Sequence, residues 1–119
     1  TGQVRARLDQ CLADDIHLVL VAEDVDRKLA AYSSVHWLPY LFMSGPEGYV
    51  SELFVSAAAR GQGIGRELLQ AIEHAARARG WQRLSLTNLR NRESYQRQFY
   101  TKAGWRERSE AVNFIYPLT

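Results

Sequence analysis

Apolar positions change their period several times along the chain, and each change marks a predicted element. Val4, Leu8, Cys11 and Leu12 recur at helical spacing, which predicts a short amphipathic helix over residues 3–13 ending near Asp14 and Asp15. His17 to Glu23 is a Leu/Val-rich run that reads as a strand. A turn over Asp24–Arg27 then returns the chain as a partner strand from Lys28 to about Trp37. Pro39 and the cluster Ser44–Gly48 mark a loop before a strand over Tyr49–Val55. Ile64, Leu68, Ile72, Ala75 and Ala76 form one stripe of a helix whose other faces carry Arg66, Glu67, Gln70, Glu73, His74 and Arg77. Gly80 stands where a left-handed cap would end it, with Arg77 and Arg79 complementing the negative end of the dipole. Leu84–Thr87 alternates as a strand, residues 92–103 read as a second helix closed by Gly104, and Ala111–Pro117 reads as a final strand.

Hairpin strands followed by strand, helix, strand, helix and strand predict an α/β (α+β) fold, a mixed sheet with helices packed on it. At 119 residues the chain fits a single domain, 1–119. No apolar run approaches the roughly 18 residues of a membrane span, and no leader-like opening is present, so the expected setting is soluble and cytoplasmic. The single cysteine, Cys11, excludes an internal disulfide framework. His17, His36 and His74 show no metal-ligand spacing, so no metal is expected, and His74 reads as helix surface.

Charge adds a polarity that the net value of +2 conceals. Residues 1–58 carry four basic and eight acidic side chains, a balance of −4, and residues 59–119 carry eleven against five, a balance of +6. A basic half suits phosphates and an acidic half suits a cationic ligand, although solvated charges on an ordinary surface account for the same counts. Nine basic residues between Arg77 and Arg108 raise a nucleic-acid reading, but they are scattered over helix, strand and loop instead of forming one stripe.

The most informative segment is Arg60-Gly61-Gln62-Gly63-Ile64-Gly65, between a strand and the best-defined helix. Glycines let the backbone approach a ligand, the first free amides of the helix point at it, and Arg60 and Arg66 add charge, which together suit a pyrophosphate. The Walker pattern requires Lys and Ser/Thr after its last glycine, where Arg66 and Glu67 stand. The Rossmann fingerprint requires Gly or Ala at Leu68.

The string Glu52-Leu53-Phe54-Val55, four residues, Arg60-Gly61-Gln62-Gly63-Ile64-Gly65, two residues, Leu68-Leu69 resembles the acyl-CoA motif of the GNAT superfamily of N-acetyltransferases. Phe99-Tyr100-Thr101-Lys102-Ala103-Gly104-Trp105 is similar to that family's aromatic helix end, at a fitting distance downstream. The resemblance spans residues 49–105 and implies a mostly antiparallel twisted sheet with flanking helices. It also implies acetyl-CoA as acyl-donor cosubstrate and transfer of its acetyl group to an amine. Two departures stand out. The strand and helix that usually open the family fold are missing ahead of residue 3, as in a fragment, a trimmed form or a natural short version. The family's asparagine position is Glu93 here, with Asn91 two residues earlier.

By this resemblance, backbone groups of Leu53, Phe54 and Val55 pair with the pantetheine arm, and Arg60, Gly61, Gln62, Gly63, Ile64, Gly65 and Arg66 hold the pyrophosphate. Asn91, Ser94 and Lys102 are further cofactor candidates, with helix capping an equal account of Ser94. Tyr100 is the candidate general acid, since a phenol with a pKa of about 10 can protonate the departing thiolate; a core aromatic beside Phe99 is the plain alternative. Strand alternation places Val50, Glu52 and Phe54 on one face, where apolar neighbours would desolvate the Glu52 carboxylate and fit it as a base. A solvated or ion-paired glutamate is the alternative, and a positioned free amine needs no single essential base.

Trp37-Leu38-Pro39-Tyr40-Leu41-Phe42-Met43 is too apolar for an ordinary exposed loop. In the family it borders the acceptor site, and Trp37, Tyr40 and Phe42 are candidate substrate residues for an amine-bearing small molecule. The segment fits a homodimer contact, or cover in place of the missing first helix, equally well. The competing functions are a non-catalytic CoA-binding module of the same fold and a protein or peptide N-acetyltransferase. Neither nucleic acid nor membrane is an expected partner.

Overall fold

The computed structural model describes residues 7–13, 17–39 and 45–119. Its elements run β1 (Arg7–Ala13), β2 (His17–Glu23), β3 (Leu29–Leu38), β4 (Glu47–Val55), a 3-10 turn at Ala57–Ala59, α1 (Ile64–Ala78), β5 (Arg83–Leu86), α2 (Glu93–Gln96) and α3 (Phe99–Lys102). The chain divides into two compact units, Thr1–Thr87 and Asn88–Thr119.

The first unit holds one five-stranded sheet in sequence order, antiparallel from β1 to β4 and parallel between β4 and β5. The parallel pair requires a crossover, and α1 supplies it, packing on β2, β3, β4 and β5. Alternation along β2 and β3 sends Leu18, Leu20, Ala22, Ala31 and Val35 to the helix side, where Ile64, Leu68, Leu69 and Ile72 of α1 meet them fully buried. Each buried Leu, Ile or Val among them contributes about 1.5–3 kcal/mol by leaving water. Helix α1 ends in a Schellman motif: Gly80 is left-handed at φ 72, its N–H reaches Arg77 C=O, and Trp81 N–H reaches Ala76 C=O.

Three sequence expectations are corrected. Arg7–Ala13 is the strand β1, not part of a helix, and pairs antiparallel with β2 through a bulge between Gln10 and Leu12. The amides and carbonyls along the outer edge of β2 need partners, and that tertiary demand overrides a 3.6-residue apolar period of only four positions. Val4, Asp14 and Asp15 of that expectation lie outside the described residues. The helix expected over 92–103 is two short turns, because Gln98 is left-handed at φ 58 and interrupts the helical ladder. The strand expected over Ala111–Pro117 pairs with nothing among the described residues and leaves Phe114, Ile115 and Tyr116 exposed.

In the second unit, Tyr95 donates to Glu107 Oε1 at 2.9 Å, and Arg90 lies 3.6 Å from the same carboxylate and over the Tyr95 ring. Phe99, Tyr100 and Trp105 form an edge-to-face aromatic series with centroids 4.9 and 6.1 Å apart.

The β4–β5 junction is closely packed. A Cβ on Gly48 would stand 2.5 Å from Trp81 Cζ3 and 2.8 Å from Leu84 Cδ2. Gly48→Ala is expected to lower stability by about 1–3 kcal/mol, read as a drop in the urea midpoint at unchanged slope.

Candidate active site

Strand β4 changes character halfway along. Glu47, Gly48, Tyr49 and Val50 pair with β5 on one side and with β3 on the other, and the β5 ladder ends at Val50. At that point the β3 register also slips: Val35 faces Val50, but Ser34 faces Glu52, leaving Ser51 as an extra residue in a bulge. Beyond it, Ser56 N–H reaches Ala30 C=O and Glu52 C=O accepts the Ser33 hydroxyl at 2.7 Å, so even-numbered backbone groups point to β3. Alternation then turns the groups of Leu53 and Val55 to the opposite edge, which no strand covers among the described residues. Arg60 Nε takes one of them, Val55 C=O, at 3.2 Å.

The bulge also corrects the expected face of Glu52. The extra residue reverses the alternation, so Val50 is buried toward α1 while Glu52 and Phe54 face away from it and are exposed. The expected apolar shielding of the Glu52 carboxylate is absent. It accepts instead from Tyr32 at 3.0 Å, and that bond is the first cause raising the Tyr32 phenol above its ordinary value, with the carboxylate's charge second.

The open edge leads into the glycine loop. Gly61 and Gly63 are both left-handed at φ 79, Gly63 is the N-cap residue of α1, and the first helical bond is Glu67 N–H to Gly63 C=O. The amides of the first turn ahead of Glu67, on Ile64, Gly65 and Arg66, therefore have no intrahelical acceptor, and no side chain caps them. Ile64 and Gly65 are buried, while Arg60, Gly61, Gly63 and Arg66 are exposed. Gln62 Nε2 donates to Ala58 C=O at 3.2 Å, and its buried Oε1 has no partner among the described residues. Open amides at a positive helix end beside two arginines form a place for anionic oxygens.

The remaining candidates stand as follows. Trp37 lies near the end of β3, across from Gly48, partly exposed; Tyr40 and Phe42 lie outside the described residues. In the second unit Tyr100 is half-buried in the aromatic series, and burial pushes its phenol above 10.0 while Arg92 and Arg97 pull it back. Asn91 is exposed in a turn and Lys102 is exposed on α3. Ser94 is not a cap: Arg92 holds that position, and the Ser94 hydroxyl accepts from Asn88 Nδ2 at 3.0 Å.

The family model of the acetyltransferase (GNAT) family matches residues 2–105. The chain belongs to the GNAT family. It is an acyltransferase. Glucosamine 6-phosphate N-acetyltransferase 1 of Oryza sativa subsp. japonica is 33% identical over 115 residues, 94% of this chain and 67% of that protein. A transcriptional regulator from Bacillus halodurans superposes with a TM-score of 0.75 at 26% identity, covering 87% of this chain and 68% of its own. An aminoglycoside acetyltransferase from an uncultured soil metagenomic sample shares the fold at a TM-score of 0.78 and 22% identity, covering 91% and 70%.

Sequence reasoning missed Tyr32 beside Glu52, the buried Glu47 held by Arg83 and Ser85, and the paired imidazoles of His17 and His36. These partners are far apart in sequence and meet only through strand register, so no local pattern signals them.

At Gly63 a Cβ would meet nothing within 4 Å, so Gly63→Ala carries only the left-handed backbone cost of about 1–2 kcal/mol. That substitution is expected to weaken acetyl-CoA binding more than Arg60→Ala does, measured by calorimetric titration of both variants.

Proposed function

We propose that this GNAT enzyme transfers the acetyl group of acetyl-CoA to a primary amine of a small molecule, by direct attack within a ternary complex. The observation that carries the reading is the half-open β4 strand, where no strand among the described residues covers Leu53 and Val55 and only the Val55 C=O is taken, by Arg60, beside the open amides that begin α1. An amide-bearing pantetheine arm can extend that edge as a strand would, and the pyrophosphate then falls to the loop of Arg60–Gly65 with Arg66. The amine nitrogen attacks the thioester carbon and gives up one proton to solvent, the C–S bond breaks, and the thiolate takes the proton of the Tyr100 phenol, which solvent restores. In this role Asn91, Ser94 and Lys102 of the second unit serve the cofactor, and Trp37, Tyr40 and Phe42 the acceptor.

The acceptor class is supported by the exposed Glu52 and Phe54 with the half-buried Tyr32 on one sheet face, a carboxylate beside tilted rings 5.7 Å apart, which suits an ammonium-bearing ligand. An amino sugar agrees with the activity for which the Oryza sativa relative is named. The working form we propose is a cytoplasmic homodimer.

Acetyl-CoA at about 100 times its Kd is expected to add about 2.7 kcal/mol and raise Tm by roughly 10 °C, with no comparable shift from ATP or NAD. Turnover of glucosamine 6-phosphate or an aminoglycoside, with intersecting initial-rate lines, supports the acceptor class; turnover of peptide amines alone contradicts it. Tyr100→Phe is expected to lower kcat about 10²-fold with little change in acetyl-CoA affinity. Because burial raises the Tyr100 phenol, its acid form persists at all lower pH, and no alkaline loss of activity from this group is expected below about pH 10.

A further inference from the structure

The sheet face turned away from α1 carries a hydrogen-bonded chain of imidazoles and hydroxyls. His17 on β2 and His36 on β3 sit directly across from one another, their rings stacked at 4.6 Å and 13°. His17 Nε2 lies 2.7 Å from Ser34 Oγ, and His36 Nε2 lies 2.8 Å from Ser51 Oγ. Ser51 is the bulge residue of β4, exposed and one position past the last β4–β5 pair. The outer end of the chain thus stands where the open edge begins.

We propose that His36, acting through the Ser51 hydroxyl, receives the proton that an acceptor ammonium must lose before it can attack; this rests on the amine-acetylation reading above. The geometry suits both protonation states. With His36 neutral at Nε2, the Ser51 hydroxyl donates to it at 2.8 Å. With Nε2 protonated, the imidazolium donates to Ser51 Oγ, and the serine hydrogen turns to Ser34 C=O at 3.3 Å. In both states the hydrogen between His36 Nε2 and Ser51 Oγ and the serine hydrogen have acceptors, so the proton moves along this pair without breaking its bond. The step balances: the ammonium gives one proton to Ser51 Oγ, Ser51 gives its own to His36 Nε2, and a neutral amine and an imidazolium result. His17 holds the His36 ring plane by stacking and is itself held by Ser34.

Among the described residues, the other titratable groups facing the pair are Tyr49 and Glu52 on β4 and Tyr32 on β3. Tyr49 donates to Thr87 at 3.2 Å and Tyr32 to Glu52, so both phenol protons already have acceptors. Glu52 lies across from Ser34, two residues along β3 from His36, as a nearby anion for the imidazolium.

Two measurements test the proposal. In the substrate-free protein, long-range 1H–15N spectra at about pH 9 should show His36 as the Nδ1–H tautomer, with Nε2 free to accept from the Ser51 hydroxyl. An Nε2–H tautomer at that pH overturns the relay. With acetyl-CoA and glucosamine 6-phosphate, His36→Gln should lower kcat/KM about 10²-fold at pH 7 and move the acidic limb of the profile upward, so that activity recovers toward pH 9, with KM for acetyl-CoA unchanged. Ser51→Ala, a milder change at an exposed residue, should reproduce the moved limb, and His74→Gln should leave the profile intact. A His36→Gln profile that keeps the native acidic limb overturns the proposal. If the native enzyme acetylates no small-molecule amine, the acceptor reading fails, and the tautomer measurement still decides the relay.

Discussion

Strands β4 and β5 run together for four residue pairs and then part, and the site depends on where they do so. The joined half is clamped. Glu47 is buried at 3% exposure with its carboxylate held by Arg83 and by the Ser85 hydroxyl at 2.7 Å, and Gly48 admits the Trp81 ring against the backbone. Removing Arg83 would leave the buried carboxylate without its counter-charge, which is costly. The clamp fixes the register, the four-residue β5 ends at Leu86, and the bulge at Ser51 turns the rest of β4 so that Leu53 and Val55 present their backbone outward. An open strand edge is ordinarily an aggregation liability; here it is short and stands beside an arginine that occupies one of its carbonyls.

Helix α1 ties this edge to the phosphate loop. Its apolar stripe, Ile64, Leu68, Leu69 and Ile72, is anchored against β2 and β3, which sets where its first turn begins. The left-handed Gly61 and Gly63 then let the chain enter the helix with its leading amides uncapped. The same burial that stabilises the sheet therefore aims the positive end of α1.

Much of this is legible in the amino-acid sequence alone. The strands over 17–23, 28–37 and 49–55, the helix from Ile64 and its Gly80 ending rest on periodicity and capping, which are local and strong. The glycine loop and the Phe99–Trp105 string made the family legible because both motifs combine unusual residues at set spacings. What escaped was non-local or too short to resist context. Four helically spaced apolar residues gave way to pairing with β2. The break at Gln98 carries no glycine or proline to announce it. The bulge at Ser51 has no sequence mark, and it reversed the face of Glu52 and brought Ser51 to His36.

The central claim is that the outer edge of β4 beyond Val50 stays open for the arm of acetyl-CoA. Amide hydrogen exchange with and without acetyl-CoA tests it most directly. The account predicts fast exchange at Leu53, Val55 and the first turn of α1 in the free protein, and slowing at those amides when acetyl-CoA is added, with β2 and β3 little changed. Protection of Leu53 and Val55 already present in the free protein, or no change at them in a protein that binds acetyl-CoA, would contradict it.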